Sequence, residues 1–303
     1  MQVRSVAQVY HDTLHPEMIA ILEELVAHLV LERLEENLFR GPSRDLGTNQ
    51  VFGGQVLGQA LKAAQYTVQD RRIHSLHAYF LRRGDYNAPI IYEVDRSRDG
   101  QSFSARRVVA IQHGNAIFTL AASFQKEETG LEFQPRMPDV AAPEGLQGMR
   151  EYDSETVARL PEKVQRLMRL SAPFDLRPVD TGTRRQAVDV MACRHFWIRT
   201  IDRLPDEDDL HRAVLAYVSD YGLLTTALQP HGLHFLDASL QMASIDHAMW
   251  FHRPFRMDEW LLCEYEAIST SNARGLARGN IFARNGTLIA STIQEGLIRI
   301  RRE

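Results

Sequence analysis

The chain carries one residue pattern twice, at a constant offset, and this repeat limits the folds available to it more than any other feature. No gap is needed to align the two copies over the matching stretch. The coinciding residues are Phe80 with Phe251, Arg82 with Arg253, Glu93 with Glu264, and Arg107 with Arg278. We therefore interpret the sequence as an internal duplication.

Each copy places a helix before a series of strands. In the first copy a helix is predicted near 51–68, and Asp99 and Gly100 predict a turn inside the long strand-forming run that follows. The strand-like runs cover 74–82, 90–111 and 115–125. A helix followed by a meander differs from the regular alternation of strands and helices that builds a parallel doubly wound sheet. We therefore expect an antiparallel sheet in each copy.

The stretch 211–227 of the second copy is predicted to be a helix that is apolar nearly all the way round. A sheet that wraps around a single helix buries that helix on every side, which explains the missing polar face. We therefore predict an α+β fold, a tandem (double) hotdog in which each antiparallel sheet wraps around a long central helix. Two such sheets side by side would also hide edge strands that otherwise promote aggregation.

Changes in pattern divide the chain into four parts. An amphipathic helix is predicted at 16–36, with Pro16 at its first position. A proline-rich connector with one helical pattern near 154–170 separates the two copies, and strands resume at 174–179 and 187–200. The predicted parts are an N-terminal helical segment (1–37), a first hotdog (38–128), the connector (129–173) and a second hotdog with the catalytic residues (174–303).

Charge and cysteine content exclude several classes of protein. A formal net charge of -4 gives no general affinity for nucleic acid. Cys193 and Cys263 are far apart in the sequence and lack CxxC spacing, so we expect neither a disulfide framework nor a metal site. The N-terminal residues form neither a signal peptide nor a membrane span. We expect a cytoplasmic protein with no cofactor and no stable membrane insertion.

Asp220 is the residue that the predicted helix at 211–227 does not explain. At helical spacing it shares a face with Tyr217 and Leu224, which are both large and apolar. A carboxylate buried there without partners is costly, and burial raises its pKa toward that of a usable base. Asp220 is therefore the first candidate for catalysis, although pairing with an arginine or capping a strand would also explain it.

Two polar residues on predicted strands of the second copy are candidate partners of that carboxylate. Strand alternation puts Ser244 on one face with Asp246 and Trp250, and it puts Gln294 in an otherwise apolar row with Leu288. A carboxylate, a hydroxyl and a carboxamide can hold one water molecule and direct it at a carbonyl carbon. Taken singly, Ser244 and Gln294 are equally well explained as structural hydrogen-bonding residues.

The first copy lacks this set of residues. The offset that aligns the two copies places Ile73 opposite Ser244 and Ser123 opposite Gln294. We therefore expect one active site per chain, in the second copy, with the first copy acting as scaffold or as part of an acyl tunnel.

Other motifs are weaker. The stretch FGGQVLGQA fits no phosphate-binding loop, so we attribute its glycines to close packing of the helix on the sheet. The sequence contains no GxSxG motif, which is the pattern that would predict a serine nucleophile. Arg274 and Arg278 could receive phosphate groups or lie on a solvated strand. Packing is the preferred interpretation of the strand histidines, which are His74, His77, His247 and His252.

Six segments together resemble the acyl-CoA thioesterase II family, over about residues 30–300. These are LFRGPSRDLGTNQVFGGQVLGQAL, HSLHAYFLRRGD, DGQSFSARRVVAIQHG, LQPHG, SIDHAMWFHRPF and STIQEGLIR. The resemblance implies a double-hotdog enzyme that hydrolyses fatty acyl-CoA to free fatty acid and CoA, without a metal or a covalent intermediate, and usually as a homo-oligomer.

The same resemblance assigns catalytic roles. The family's acid falls on Asp220 in VSDYGLL, its hydroxyl on Ser244 in ASIDH, and its glutamine on Gln294 in TIQEG. The chain departs from the family in two places: some members carry threonine at the position of Ser244, and Arg83 stands where proline is common. We therefore predict an acyl-CoA thioester hydrolase in which Asp220 activates a water molecule.

Two other functions stay open. A hotdog hydratase or dehydratase acting on acyl-CoA would need an acid paired with a histidine at a central helix. A non-catalytic acyl-CoA sensor would keep the apolar helix without needing Asp220.

Overall fold

Each copy places a long helix before a run of antiparallel strands, in the order that the duplication predicts. The computed structural model describes residues 16–45, 50–152, 154–179, 193–237 and 239–301. Its α-helices are α1 (Pro16–Leu29), α2 (Gly53–Gln65), α3 (Ser154–Arg159), α4 (Glu162–Leu170) and α5 (Asp208–Ser219). Short 3-10 helices lie at Pro143–Gly145, Met149–Glu151 and Leu224–His231.

The strands of both copies belong to one antiparallel sheet. They are β1 (Glu32–Glu35), β2 (Leu38–Gly41), β3 (Arg72–Phe80), β4 (Ile90–Asp99), β5 (Phe103–Gln112), β6 (Asn115–Gln125), β7 (Phe174–Pro178), β8 (Cys193–Thr200), β9 (Leu240–Ser244), β10 (Asp246–Phe251), β11 (Leu261–Ser271), β12 (Arg274–Ala283) and β13 (Leu288–Ile300). Their order is β1-β2-β4-β5-β6-β3-β10-β13-β12-β11-β8-β7, with β9 also paired to β13. The predicted turn at Asp99 and Gly100 lies between β4 and β5.

The two copies meet where β3 pairs with β10. Ser75 lies opposite Trp250, and His77 lies opposite Ala248, in antiparallel register. Each of these strands would otherwise be an edge with unpaired amide and carbonyl groups. Pairing them satisfies those groups and makes the sheet continuous across the duplication.

The offset between the copies is not the same for strands and helices. At the offset that aligns the sequences, β5 (Phe103–Gln112) coincides end to end with β12 (Arg274–Ala283). The same offset would place the start of α2, Gly53, on Leu224, but α5 begins well before that residue, at Asp208. The extra residues of the second copy lie between α5 and β9, where the chain forms the 3-10 helix Leu224–His231. This insertion lies next to the candidate site.

The central helices α2 and α5 run antiparallel and pack directly on each other. A Cβ atom on Gly54 would lie 2.1 Å from the carbonyl oxygen of Tyr217, and one on Gly58 would lie 3.1 Å from that of Ala213. Glycines one turn apart therefore let the two backbones approach closely. Gly54 and Gly58 of FGGQVLGQA thus serve contact between the helices and not the predicted contact with the sheet, whereas Gly53 lies beside Phe80 of β3.

Burial of both central helices confirms that each lies inside the fold. Every residue of α2 after Gly53 is buried, as is every residue of α5 from Leu210 to Ser219. The prediction that one helix covers 211–227 is wrong at its end, because α5 stops at Ser219. Gly222 adopts a φ of 71°, a left-handed conformation that breaks the helical path. Asp220 is therefore the residue that follows the helix, not one in its middle.

The N-terminal helix is shorter than predicted. It ends at Leu29, and residues 32–35 form β1, which pairs with β2 through the turn at Asn37. The Arg33 side chain donates to the carbonyl oxygens of Glu35 and Glu36 and stabilises that turn. Leu29 packs against Gly58 of α2, so α1 covers one end of the first central helix. Residues 1–15 of the predicted helical segment lie outside the described residues.

The connector is held against the second copy. The Gln134 side chain donates to the carbonyl oxygen of Gly286 and accepts from the amide of Leu288, at distances of 2.8 and 3.1 Å. The single predicted helical pattern is two helices, α3 and α4, separated at Pro161. Part of the strand predicted at 187–200 is β8, and residues 187–192 lie outside the described residues. The division into four parts stays a prediction.

Candidate active site

Asp220 lies between the ends of the two central helices. It follows the last residue of α5, and its carboxylate accepts a hydrogen bond from the backbone amide of Gly54 at the start of α2. The N-cap residue of α2, Phe52, has no side chain that could form a capping hydrogen bond. A carboxylate is unfavourable near the negative end of α5 and favourable near the positive end of α2. The second copy therefore supplies the anion that the helix of the first copy lacks.

Gln294 and Ser244 both hydrogen-bond to this carboxylate. The amide nitrogen of Gln294 donates to Oδ1 of Asp220 at 2.6 Å and to the hydroxyl oxygen of Ser244 at 3.0 Å. The hydroxyl of Ser244 donates to the same carboxylate oxygen at 3.4 Å. The three side chains thus form a closed triangle, and the second carboxylate oxygen lies beside Gly53.

A one-residue bulge turns Ser244 toward the helices. Ser244 of β9 pairs with Gly296 of β13, whereas Ala248 of β10 pairs with Ile293, so one extra residue lies on the β9–β10 side. The side chain of Asp246 accepts a hydrogen bond from the backbone amide of Glu295 at 2.8 Å, and this bond stabilises the bulge. Bulges re-aim side chains in this way next to active sites. Simple alternation placed Ser244 on the face of Trp250, which lies outside, and the bulge reverses that placement.

The first copy has the same bulge without the polar side chains. Its strand β3 shifts register between Ile73 and Ser75, opposite β6. Ile73 occupies the position of Ser244, as the offset predicted. Strand pairing makes Ala122, which lies opposite Leu76, the counterpart of Gln294, so the predicted pairing of Gln294 with Ser123 is wrong by one residue. The described first copy has no carboxylate, hydroxyl and amide at these positions.

Burial controls the acidity of the site. It raises the pKa of Asp220 from 3.8 to about 6, although the hydrogen bonds from Gln294, Ser244 and Gly54 each oppose the rise. A carboxyl group with this pKa is mostly ionised at neutral pH and is a stronger base than an exposed aspartate.

The triangle lies on the wall of a cavity of about 600 Å³. Apolar side chains of the first copy form much of the wall, among them Val56 of α2 and Phe80 of β3. Residues 240–244, next to the triangle, form another part. The cavity therefore lies between the copies, with the carboxylate from one and much of the apolar wall from the other.

Three arginines line the same cavity: Arg82, Arg83 and Arg301 are all exposed. Arg82 donates to the carbonyl oxygen of Ala116, and neither Arg83 nor Arg301 forms an ion pair within the described residues. None of these arginines was a predicted phosphate contact. The doubled arginine in FLRRGD was the available signal, but nothing in the sequence places it near Asp220.

The arginines that the sequence did select lie elsewhere. Arg274 bonds to Glu295 at 2.9 Å and Arg278 to Glu266 at 2.7 Å, both across adjacent strands. Neither arginine lines the cavity. The structure thus brings Asp220, Ser244 and Gln294 together. The two predicted arginines lie apart from this group.

The histidines and cysteines of the described residues lie outside the cavity lining. The imidazole of His74 bonds to Ser123 at 2.8 Å, and that of His252 bonds to Ser291 at 3.0 Å. Cys263 is buried, and its burial raises the pKa of the thiol to about 12. Nowhere in the described residues do three histidine, cysteine, aspartate or glutamate side chains gather so that they could hold a metal ion. Among the described helices, none has the length and apolar character to cross a bilayer.

Two family models match the chain, one in each copy. The acyl-CoA thioesterase model matches residues 170–297, and the model of the acyl-CoA thioesterase N-terminal domain matches residues 42–125.

Full-length relatives carry the same family name. Acyl-CoA thioesterase 2 of Haemophilus influenzae is 43% identical over 283 residues, which cover 93% of this chain and 99% of that protein. Acyl-coenzyme A thioesterase 8 of Homo sapiens is 40% identical over 291 residues, which cover 90% of this chain and 88% of that protein.

Solved structures agree with the architecture. The crystal structure of an acyl-CoA thioesterase II from Mycobacterium marinum superposes with a TM-score of 0.77 at 39% identity, covering 92% of this chain and 98% of that one. A hot dog fold protein of unknown function from Alicyclobacillus acidocaldarius gives a TM-score of 0.71 at 19% identity, covering 92% of this chain and 99% of that one, and shows the fold alone. The predicted tandem hotdog is confirmed.

Proposed function

Because this chain belongs to the acyl-CoA thioesterase II family, we propose that it hydrolyses fatty acyl-CoA to free fatty acid and CoA with a water molecule that Asp220 deprotonates. The observation that carries the proposal is the hydrogen-bonded triangle of Asp220, Ser244 and Gln294 on the wall of a largely apolar cavity. The coarser statement, that the protein is an acyl-CoA thioester hydrolase, follows from its relatives. The roles of the three residues are our proposal.

In the proposed reaction Asp220 takes a proton from a water held by Ser244 and Gln294. The water oxygen attacks the thioester carbonyl carbon, and the carbonyl electron pair moves onto oxygen. The tetrahedral intermediate then collapses, the carbon–sulfur bond breaks, and the CoA thiolate takes the proton from Asp220. The products are the carboxylic acid and CoA, and Asp220 returns to its ionised form.

We assign stabilisation of the oxyanion to the start of α2. The amide of Gly53 donates to no backbone acceptor in the described part of the chain, and this residue lines the cavity beside the Asp220 carboxylate. The positive end of the helix favours negative charge developing on the carbonyl oxygen. This would divide the chemistry between the copies, with the base from one and the electrophilic amide from the other.

Substrate contacts follow from the cavity wall. The apolar side chains suit an acyl tail, and the exposed arginines suit the phosphate groups of CoA, which guanidinium groups bind bidentately. We propose Arg83 and Arg301 as the phosphate contacts. Arg274 and Arg278 are no longer proposed, because each already forms an ion pair with a glutamate.

Neither rival function accounts for the site as well. A hydratase would need a histidine beside the acid, and no histidine lines the cavity in the described residues. A sensor would need the apolar cavity but would gain nothing from a buried carboxylate at the helix ends.

Release of free thiol from acyl-CoA by the wild type and by Asp220→Asn tests the proposal. We expect the variant to lose at least about a hundredfold in kcat. Asp209→Asn is the matched control, because Asp209 is a carboxylate of α5 whose pKa burial also raises, and it does not line the cavity. Activity retained in Asp220→Asn would refute the assignment of the base, and acyl-CoA binding without any thiol release by the wild type would favour the sensor.

A further inference from the structure

Behind the catalytic triangle, a second polar cluster joins the two elements that carry Asp220 and Gln294. From it we infer that His247 is a positioning residue for the reaction: its imidazole fixes the end of α5 to β13. This inference rests on the proposed function. His247 lies on β10 and is fully buried, and it does not line the cavity.

The cluster consists of one imidazole and two hydroxyl groups. The Nε2 atom of His247 lies 2.9 Å from the hydroxyl oxygen of Ser219 and 3.1 Å from that of Thr292. Ser219 directly precedes Asp220, and Thr292 is two residues before Gln294 on the same face of β13. One ring nitrogen therefore holds two backbone segments, each of which presents one side of the triangle.

The hydroxyl groups determine which ring nitrogen carries the proton. Ser219 donates to the carbonyl oxygen of Ala216 at 2.8 Å, and Thr292 donates to that of Ala248 at 3.0 Å. Because both hydroxyl protons are used, Nε2 of His247 is the donor to both oxygens. The opposite nitrogen, Nδ1, is buried and has no partner within the described residues. Burial lowers the pKa of His247 to about 4, so the ring is neutral at pH 7.

The first copy shows that the fold does not need this cluster. At the equivalent position of the sheet it has Leu76 in place of His247, and it has Leu120 in place of Thr292. Both leucines are buried and apolar. A buried imidazole with an unpaired nitrogen is less favourable than a leucine in the same place. The polar cluster thus occurs in the copy that carries the carboxylate, which ties it to the site rather than to the sheet.

A positioning role predicts a specific kinetic defect. If the end of α5 is free to move relative to β13, the distance between Asp220 and Gln294 is no longer fixed, and the water is held less well. Misplacement by about 1 Å can reduce a rate a hundredfold. Substrate binding depends on other parts of the cavity, so KM should change little.

The test compares His247→Leu, His247→Gln and the matched control His211→Leu. His211 is a buried histidine at the opposite end of α5 from Asp220, where its Nδ1 accepts a hydrogen bond from the amide of Met257 at 3.0 Å. We expect His247→Leu to lower kcat by about 10- to 100-fold with KM within about twofold. His211→Leu should keep kcat within about twofold, although its Tm should fall at least as far as that of His247→Leu.

His247→Gln supplies the rescue, since its side-chain amide can donate at the position of Nε2. It should recover most of the kcat lost in His247→Leu. The inference is overturned if His247→Leu keeps kcat within about twofold, or if glutamine is no better than leucine. These results are separate from the proposed function, which fails if the wild type releases no thiol or if Asp220→Asn stays active.

Discussion

The carboxylate of Asp220 accepts a hydrogen bond from the backbone amide of Gly54, so the acid of the second copy caps the central helix of the first. This contact ties the chemistry to the packing of α2 against α5. A change at the start of α2 should therefore affect the reaction as well as the fold.

Gly53→Ala should lower activity more than stability. Its Cβ would lie 2.8 Å from the second oxygen of Asp220 and 2.9 Å from the ring of Phe80, so the carboxylate or the ring must move. We expect kcat/KM to fall by about tenfold or more, with a small loss of Tm. Gly145→Ala is the control, because a Cβ there meets nothing within 4 Å. Equal activity of the two variants would contradict a close role for Gly53.

The pH dependence of hydrolysis should report the ionisation of Asp220. Its raised pKa, about 6, predicts that kcat/KM is constant above about pH 7 and falls about tenfold per pH unit below about pH 5.5. The profile is measured with a substrate whose own groups do not titrate in this range. An acid limb near pH 4, the value of an ordinary aspartate, would show that the base is not a buried carboxyl group.

Asp220→Asn should stabilise the protein at neutral pH. The carboxyl pKa is higher in the folded than in the unfolded state, so the folded protein binds more protons between about pH 4 and pH 6 and loses stability as the pH rises through that window. A shift from 3.8 to about 6 corresponds to an upper limit of about 3 kcal/mol. Chemical unfolding at about pH 7.5 and about pH 4 measures the difference. A gain of the same size at both pH values would argue against ionisation as its cause.

Oxygen isotope labelling should distinguish water attack from attack by Asp220 itself. In a single turnover in H2 18O, direct attack by water places one 18O atom in the released fatty acid. A covalent anhydride on Asp220 that water opens at the aspartyl carbonyl would instead leave the label in the protein after the first turnover. Mass spectrometry of the acid and of the peptide containing Asp220 measures both. Label in that peptide would exclude the proposed mechanism.

Arg83→Ala and Arg301→Ala should weaken substrate binding. Both side chains line the cavity without an ion-pair partner in the described residues. Each loss should raise KM by about three- to tenfold with little change in kcat, and the effect should shrink at high ionic strength. Arg278→Ala is the control, since Glu266 already binds that guanidinium group. A KM increase confined to Arg278→Ala would restore the original assignment.

Sequence reasoning located two of the three site residues by their environment. Gln294 stands out because strand alternation puts it in an apolar row, and it is fully buried on that face. Asp220 stands out as an acid among apolar residues, although the helix ends just before it at Ser219. The helical and strand periodicities are properties of the chain itself, so the local sequence reveals a polar residue at a position where burial is expected.

Other features depend on pairing between distant strands or helices. The inward direction of Ser244 requires a bulge against β13, which alternation within β9 cannot reveal. The role of Gly54 depends on Tyr217 from the other copy, and the position of Arg83 on the cavity depends on where β3 ends relative to α5. Such relationships arise from the register of long-range contacts, so they became clear only from the structure.

The paired strands β3 and β10 also constrain how this chain can change over generations. The first copy has Ile73 and Ala122 in place of Ser244 and Gln294, yet its helix and its apolar side chains form much of the wall of the cavity beside Asp220. Substitutions in either half are therefore expected to affect the same catalytic activity. Under the proposed function, a change in either half alters the same site, so the two halves evolve together and neither can acquire a separate purpose on its own.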